Sequence, residues 1–341
     1  MNEPKLPPAR GPVSAGVIST LTLGESPPRV AGGDPLGQDL QLALYLCYEL
    51  HYRGFDGVGG ELEWDPDLLR TRGELERLFL AALREGAGGG DDVGGVLEDL
   101  LVEPVDAQGI SHHLRDNGQL WQLREYVAHR SVYHLKEADP HAWVIPRLQG
   151  KAKAALVAVE FDEFGGGRAE RVHAQLFADL MDELGLDSAY GAYLKVAPAQ
   201  MLAVVNMMSL FGLHRSLRGA LVGHFAAAEI TTAPSARRMA QALTRLGVDP
   251  LFFTEHIEAD AVHEQVLRRD VIGDLLQREP DLAADVVFGV RATDWLEERF
   301  GELVLSRWRS GGSSLLAPLS ETLLGAGDVS AETAGGVPAP G

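Results

Sequence analysis

The chain has 341 residues, 45% of them hydrophobic, and a formal net charge of −19 from 49 acidic against 30 basic side chains. That length suits one large domain or two small ones, with enough apolar material for a substantial core. The acidic balance disfavours nucleic acid and anionic membrane surfaces as partners, because their phosphates would be repelled.

The opening, "MNEPKLPPARGPVSAG", has Pro and Gly where a signal peptide needs an apolar run, so residues 1–34 read as a disordered arm. Helical periodicity then dominates, and strand alternation is nearly absent. A first helix is expected near 37–55 and contains the single cysteine, Cys47. One cysteine forms no disulfide within the chain, which fits a reducing cytoplasm. "WDPDLLRTRGELERLFLAALRE" follows, with Asp65 as N-cap and Pro66 in the first turn. After the flexible "GAGGGDD" comes a short helix over 93–103, then a long one through "GQLWQLREYVAHRSVYHLKEAD" that stops at Pro140.

The next helical stretch, "HAWVIPRLQGKAKAALVAVEFDEF", is interrupted at Pro146 and closed or bent at Gly165-Gly166-Gly167. "RAERVHAQLFADLMDELGL" resumes helix. "PAQMLAVVNMMSLFGLHRSLRGALVGHFAAAEI" is the most apolar segment and is placed at the centre. "APSARRMAQALTRLG" reads as a separate short helix ended by Gly247. Another helix starts after Pro250, and its continuation breaks near Pro280. No stretch reaches the roughly 18 apolar residues of a membrane span. The expectation is an all-α fold: one domain of packed helices over 35–309, with a flexible Gly/Ser/Ala/Pro-rich tail over 310–341.

The stretch "TEHIEADAVHE" carries the first chemical signal. His256, Asp260 and His263 stand at i, i+4 and i+7, one face of a helix. A solvated charged face is the ordinary reading of such a pattern. Matching acid and imidazole candidates occur in "LKEADPH", "FDEFGGGRAERVH" and "HFAAAEI". Carboxylates and histidines inside a helix bundle are costly unless paired or bound to metal. Each candidate has a plain alternative. Glu163 competes with Glu160 and Asp162. His173 could be a satisfied core or surface histidine. Glu229 could be a helix-end charge paired with Arg. Glu137 could be a solvated acid before Asp139-Pro140. Glu163 and His173 are ten residues apart, about 80° on an ideal helix, so the glycines between them must bend it if they are to meet.

In order and spacing, "KEADPHAWVIPRLQGKAKAALVAVEFDEFGGG", "VHAQLF", "HFAAAEI" and "EHIEADAVHE" together resemble the heme-oxygenase-like diiron oxidases and oxygenases, over about 120–270. The resemblance implies a heme-oxygenase-like bundle of about seven core helices with extra N-terminal helices. It implies two iron ions, O2 as cosubstrate and a peroxo-diferric intermediate. Its metal ligands fall on Glu163, His173, Glu229, His256, Asp260 and His263. An added carboxylate, matched by Glu137, marks the N-oxygenating branch and gives that residue a catalytic part. On this reading one iron takes Glu163, His173 and His263, and the other takes Glu229, His256 and Asp260 with Glu137 as auxiliary.

The expected activity is N-oxygenation of a small molecule in a specialised biosynthetic pathway: an amino acid, a guanidine or an amino-heterocycle. Oxidative C–C cleavage or desaturation is the rival reaction, and a non-catalytic helical binding protein the rival of another class. The reading admits an external electron donor and a homodimer, and expects neither nucleic acid nor membrane. Heme is disfavoured by so many acids and imidazoles; Gly219-x3-Gly223 in "GALVGH" more often serves close helix packing. Zinc hydrolysis is disfavoured because neither HExxH nor CxxC occurs.

Overall fold

The computed structural model describes residues 3–104 and 106–319, without the side chains of 258–262. It is all-α. The first helices are α1 (Pro12–Leu23), α2 (Gln38–Glu49), α3 (Pro66–Ala87), α4 (Val93–Leu100), α5 (Ile110–Asn117) and α6 (Leu120–His134). A short α7 (Asp139–Ala142) leads to α8 (Gly150–Glu163), α9 (His173–Glu183) and α10 (Ala199–Leu213). The chain continues with α11 (Arg218–Leu246), α12 (Leu251–Gln265), α13 (Gly273–Arg278) and α14 (Ala283–Arg309).

The apolar segment is central, as expected. From Met201 to Gly212, α10 is buried on all sides, the mark of a helix surrounded by others. It packs against α2, α6, α7, α11 and α14. Its one buried amide, Asn206, donates to the Gln41 carbonyl and to Gln41 Oε1, both at 2.8 Å. The α3 start is also as read: the Asp65 carboxylate accepts the Leu68 N–H at 2.8 Å, and Pro66 occupies the first turn.

The glycines of "GALVG" serve helix packing. A Cβ on Gly223 would lie 2.1 Å from the Val286 carbonyl oxygen, and one on Gly289 2.0 Å from that of Ala220. The backbones of α11 and α14 therefore touch, which aligns two helices that line the site.

Several expectations are corrected. The stretch 1–34 is not a disordered arm over its described part. It forms α1, whose first N–H groups, on Val13 and Ser14, donate to the Asp39 carboxylate of α2 at 2.9 and 2.7 Å. The capping group comes from another helix, so local composition missed it. The tail is packed as far as it is described: buried Ser314 donates to Glu125 and accepts from His129. Residues 320–341 lie outside the described residues. The expected break between the apolar segment and "APSARRMAQALTRLG" is absent, because α11 runs through Pro234. Just before the proline, Thr231 and Thr232 donate their hydroxyls to the carbonyls of Ala227 and Ala228. The long helix ends at His134 rather than Asp139, since Lys136 turns inward and Ala138 takes a left-handed φ of 71°. After α12, a π-helical run over Val266–Ile272 precedes α13. Among the described residues no helix is long and apolar enough to cross a membrane.

Candidate metal centre

Five segments converge: the turn after α6, the end of α8, the start of α9, the middle of α11, and α12. They bring six of the seven sequence candidates together in two buried triads. One is Glu137, His173 and His256; the other is Glu163, Glu229 and His263. Within each triad, one potential ligand atom per residue lies within 4.8 Å of the others. The seventh candidate, Asp260, lies on α12 between the two histidines, but its side chain is outside the described residues.

The grouping differs from the sequence expectation. His173 faces Glu137 and His256 rather than joining Glu163 and His263 alone. The cause is the turn between α8 and α9. Gly165, Gly166 and Gly167 all have left-handed φ, at 77°, 61° and 82°, so the helix ends and the chain turns. His173 opens a new helix, and its Nδ1 still comes 2.8 Å from Glu163 Oε2. The other carboxylate oxygen, Oε1, is 3.6 Å from His263 Nδ1. Glu163 thus touches both triads. A Cβ on Gly165 would meet Val172 N at 2.6 Å. Gly165→Ala is accordingly expected to destabilise the fold by about 1–3 kcal/mol, and to weaken metal uptake by separating His173 from Glu163. Thermal unfolding with and without Fe(II) checks this; an unchanged midpoint and unchanged uptake would refute it.

Partners orient several of these groups. His256 Nδ1 donates to the Phe252 carbonyl at 2.7 Å, and its Nε2 lies on the site side, 3.6 Å from Glu137 Oε1. His134 lies 2.8 Å from Glu137 Oε1. His263 Nδ1 is 3.2 Å from Glu229 Oε2, and its Nε2 is 3.2 Å from Asp162 Oδ2. Of the α8 acids that competed in sequence, Glu163 joins a triad, exposed Asp162 holds the outer edge of His263, and Glu160 is buried nearby with no hydrogen-bond partner on either oxygen. The role of His134 had a readable signal, its i,i+3 spacing to Glu137; the role of Asp162 had none.

The electrostatics are those of acids and imidazoles buried close together. Burial, then Glu163 and Glu229, pushes Glu160 up to about 9. Burial also raises Glu229, with Glu163 adding to it and His263 opposing. Burial would raise Glu137 too, but His134 and His256 hold it well below the ordinary carboxylate range. For His263, burial opposes the charged form, yet Glu229, Asp162 and Glu163 lift it to about 9. Carboxylate oxygens and imidazole nitrogens without thiolate form a donor set that suits iron. The buried Glu137 Oε2, with no hydrogen-bond partner, is consistent with such an ion. These residues fit the metal.

A pH dependence follows. His263 keeps its proton up to about pH 9 without metal, so a metal must displace it. Apparent Fe(II) affinity should rise about tenfold per pH unit up to that point. The same proton stabilises the metal-free fold fully below pH 6.5, and that contribution is lost as pH rises through about 9. Anaerobic titrations at several pH values measure the slope; a flat profile would place His263 outside the metal set.

A cavity of ≈ 760 Å³ opens on this cluster. Glu137, Glu163, Glu229 and His256 form one wall, and Phe225, Phe252 and Phe253 add apolar surface.

The model of the iron-containing redox enzymes matches residues 124–298, just over half of the chain. Nitrosourea synthase from Streptomyces achromogenes subsp. streptozoticus is 27% identical over 160 residues, covering 46% of this chain. The match spans about a third of that relative's length, 34%. The family match over residues 124–298 contains all the segments that build the two triads. On the family match and an iron-suited donor set within an all-α bundle, the chain is an oxidoreductase and belongs to the iron-containing redox enzyme family.

Proposed function

We propose that the protein is an O2-dependent non-heme diiron oxygenase that transfers oxygen to an amine nitrogen of a small molecule. The observation that carries the diiron reading is Glu163, whose two oxygens face different triads. Glu137, His173 and His256 would hold one iron. Glu229 and His263, with Asp260 from the same helix as His263, would hold the other, and Glu163 would lie between them. When bound, such an iron pair supplies the electrons that reduce O2.

The chain's own residues prepare that chemistry. The Phe252 carbonyl fixes the His256 tautomer, and Asp162 fixes the outer edge of His263; such outer partners orient metal-binding imidazoles and raise their basicity. His134 holds one oxygen of Glu137 and leaves the other for the site. The three phenylalanines exclude water from the cavity wall, which strengthens every charge interaction inside. Nitrogen as the acceptor of oxygen is favoured by the similarity to a protein named for making a nitrosourea, a compound with an oxidised nitrogen. An external electron donor would return the irons to the ferrous state.

Anaerobic Fe(II) titration should saturate at about two irons per chain. Mixing with 18O2 and a panel of small amines should then give an N-oxygenated product carrying the label. One iron at saturation, or a heme absorption band, would overturn the diiron reading. A labelled carbonyl fragment or an alkene would replace N-oxygenation by oxidative cleavage or desaturation.

A further inference from the structure

The cavity wall holds two histidines outside the proposed metal set. His141 lies in α7, four residues after Glu137, and His224 lies in α11, five residues before Glu229. Both line the cavity, each is 1% exposed, and their rings are 5.2 Å apart. His141 stacks on Phe225, with ring centres 4.2 Å apart and planes 10° from parallel, which fixes its orientation. Among the described residues neither ring nitrogen of His141 has a hydrogen-bond partner, and neither does Nε2 of His224.

The close contact between α11 and α14 sets His224. Gly223 and Gly289 bring the two backbones together. His224 follows the first glycine and Thr293 stands one turn after the second, so their side chains meet, with Nδ1 2.8 Å from Thr293 Oγ1. That hydroxyl donates its single proton to the Gly289 carbonyl at 2.8 Å, so towards His224 it accepts. The imidazole proton therefore sits on Nδ1, and Nε2 is a bare lone pair facing away from α14.

Both rings are uncharged. Burial lowers His224 to about 4 and holds His141 well below the ordinary histidine range. A neutral imidazole carries one N–H and one lone pair in either tautomer. The pair therefore supplies hydrogen bonds and no charge, and an ion buried against it would be left unbalanced. Buried donors and acceptors are unfavourable while unpaired, and a ligand with the complementary atoms relieves this.

We propose that His141 and His224 form a subsite for an uncharged amide-type group, an N–H beside a C=O, with His224 Nε2 accepting the N–H and His141 donating to the carbonyl. His224 and Glu229 are separated by about 7.5 Å along α11, so a small molecule held here by its amide reaches the triads with its other end. Calling that molecule a substrate rests on the oxygenase reading; the subsite itself does not.

The test uses benzamide and acetophenone, planar probes of one size that differ by an amino group against a methyl. Calorimetry on the full chain as purified, without O2, should show benzamide binding at least about tenfold tighter than acetophenone. His224→Leu removes the acceptor while the Thr293 hydroxyl keeps its bond to Gly289. It should lose about tenfold in benzamide affinity and leave acetophenone unchanged. His224→Gln, whose amide oxygen reaches the Nε2 position, should recover part of that loss. His141→Leu should weaken both probes, because both present a carbonyl. Equal binding of the two probes by wild type, a His224→Leu that lowers both alike, a His224→Gln as weak as His224→Leu, or a His141→Leu without effect would overturn the subsite. If the variants do not fold, the 15N-histidine spectrum of the wild-type full chain decides. A neutral Nδ1–H tautomer of His224 whose Nε2 resonance moves with benzamide and not with acetophenone supports the subsite. The opposite tautomer, a protonated ring, or an Nε2 that benzamide leaves unmoved overturns it. Iron stoichiometry is measured separately. A wrong stoichiometry with probe binding intact sinks the oxygenase reading alone, and the converse sinks the subsite alone.

Discussion

Replacing Glu163 by alanine is expected to empty both metal positions at once, whereas replacing Glu137 or Glu229 empties one. The reason is geometric. Glu163 Oε2 sits 2.8 Å from His173 and Oε1 3.6 Å from His263, so each oxygen serves a different triad. Removing it also leaves those histidines with less negative charge to hold a cation against. Glu160→Gln should load normally, because Glu160 belongs to neither triad and, pushed up to about 9, is already protonated at neutral pH. His134→Ala and Asp162→Ala remove partners that only orient the cluster; each should cost roughly 10–100-fold in affinity. Metal per chain after anaerobic Fe(II) loading and desalting measures all six variants, with circular dichroism to confirm retained helix. A Glu163→Ala protein that still holds one tight iron would assign this carboxylate to a single position and remove the main support for a paired site.

The sequence made the local parts of this centre legible and hid the non-local ones. His256 and His263 share a helix face because α12 is regular between them, and spacing alone reads that. The start of α3 was readable because Asp65 caps its own helix. The Glu163–His173 pairing was different. Three glycines signalled a departure from helix, but whether they bend it or end it depends on their φ signs, and a glycine accepts either. The end of α8 there then decided which triad His173 joins. The ordering of 12–23 depended on Asp39, a cap from another helix, and that of 311–319 on Glu125, likewise distant in sequence. Such partners are invisible to periodicity. The same holds for Glu160 against Glu163: both are buried, and only their placement relative to α11 and α12 separates the one in a triad from the one beside it.

Lys136→Met is expected to be the most destabilising change outside the metal centre. Lys136 Nζ lies 2.8 Å from Glu49 Oε2, and the two side chains are 1% and 0% exposed. The ammonium also sits 4.3 Å from the centre of the Tyr52 ring and 4.8 Å from that of Tyr45. Tyr190 donates its hydroxyl to the other Glu49 oxygen at 2.7 Å. Methionine fills the space but leaves the Glu49 charge in the core without its cation. Breaking a buried pair in this way costs about 3–5 kcal/mol, or on the order of 10 °C in thermal midpoint for a domain of this size. The double variant Glu49→Gln/Lys136→Met removes both charges while keeping an acceptor for Tyr190, so it should recover most of the loss. The effect should reach the metal centre too. Lys136 precedes Glu137 directly, in the turn where Ala138 takes a left-handed φ of 71°, the one non-glycine to do so among the described residues. Releasing Lys136 frees that turn, so the folded fraction of Lys136→Met should load the Glu137 position more weakly than the Glu229 position. Thermal unfolding of the single and double variants, followed by iron titration of each, separates the two effects. A single variant as stable as wild type would show that Glu49 finds another partner. A destabilised variant with both positions loading equally would show that the pair anchors the fold without holding Glu137.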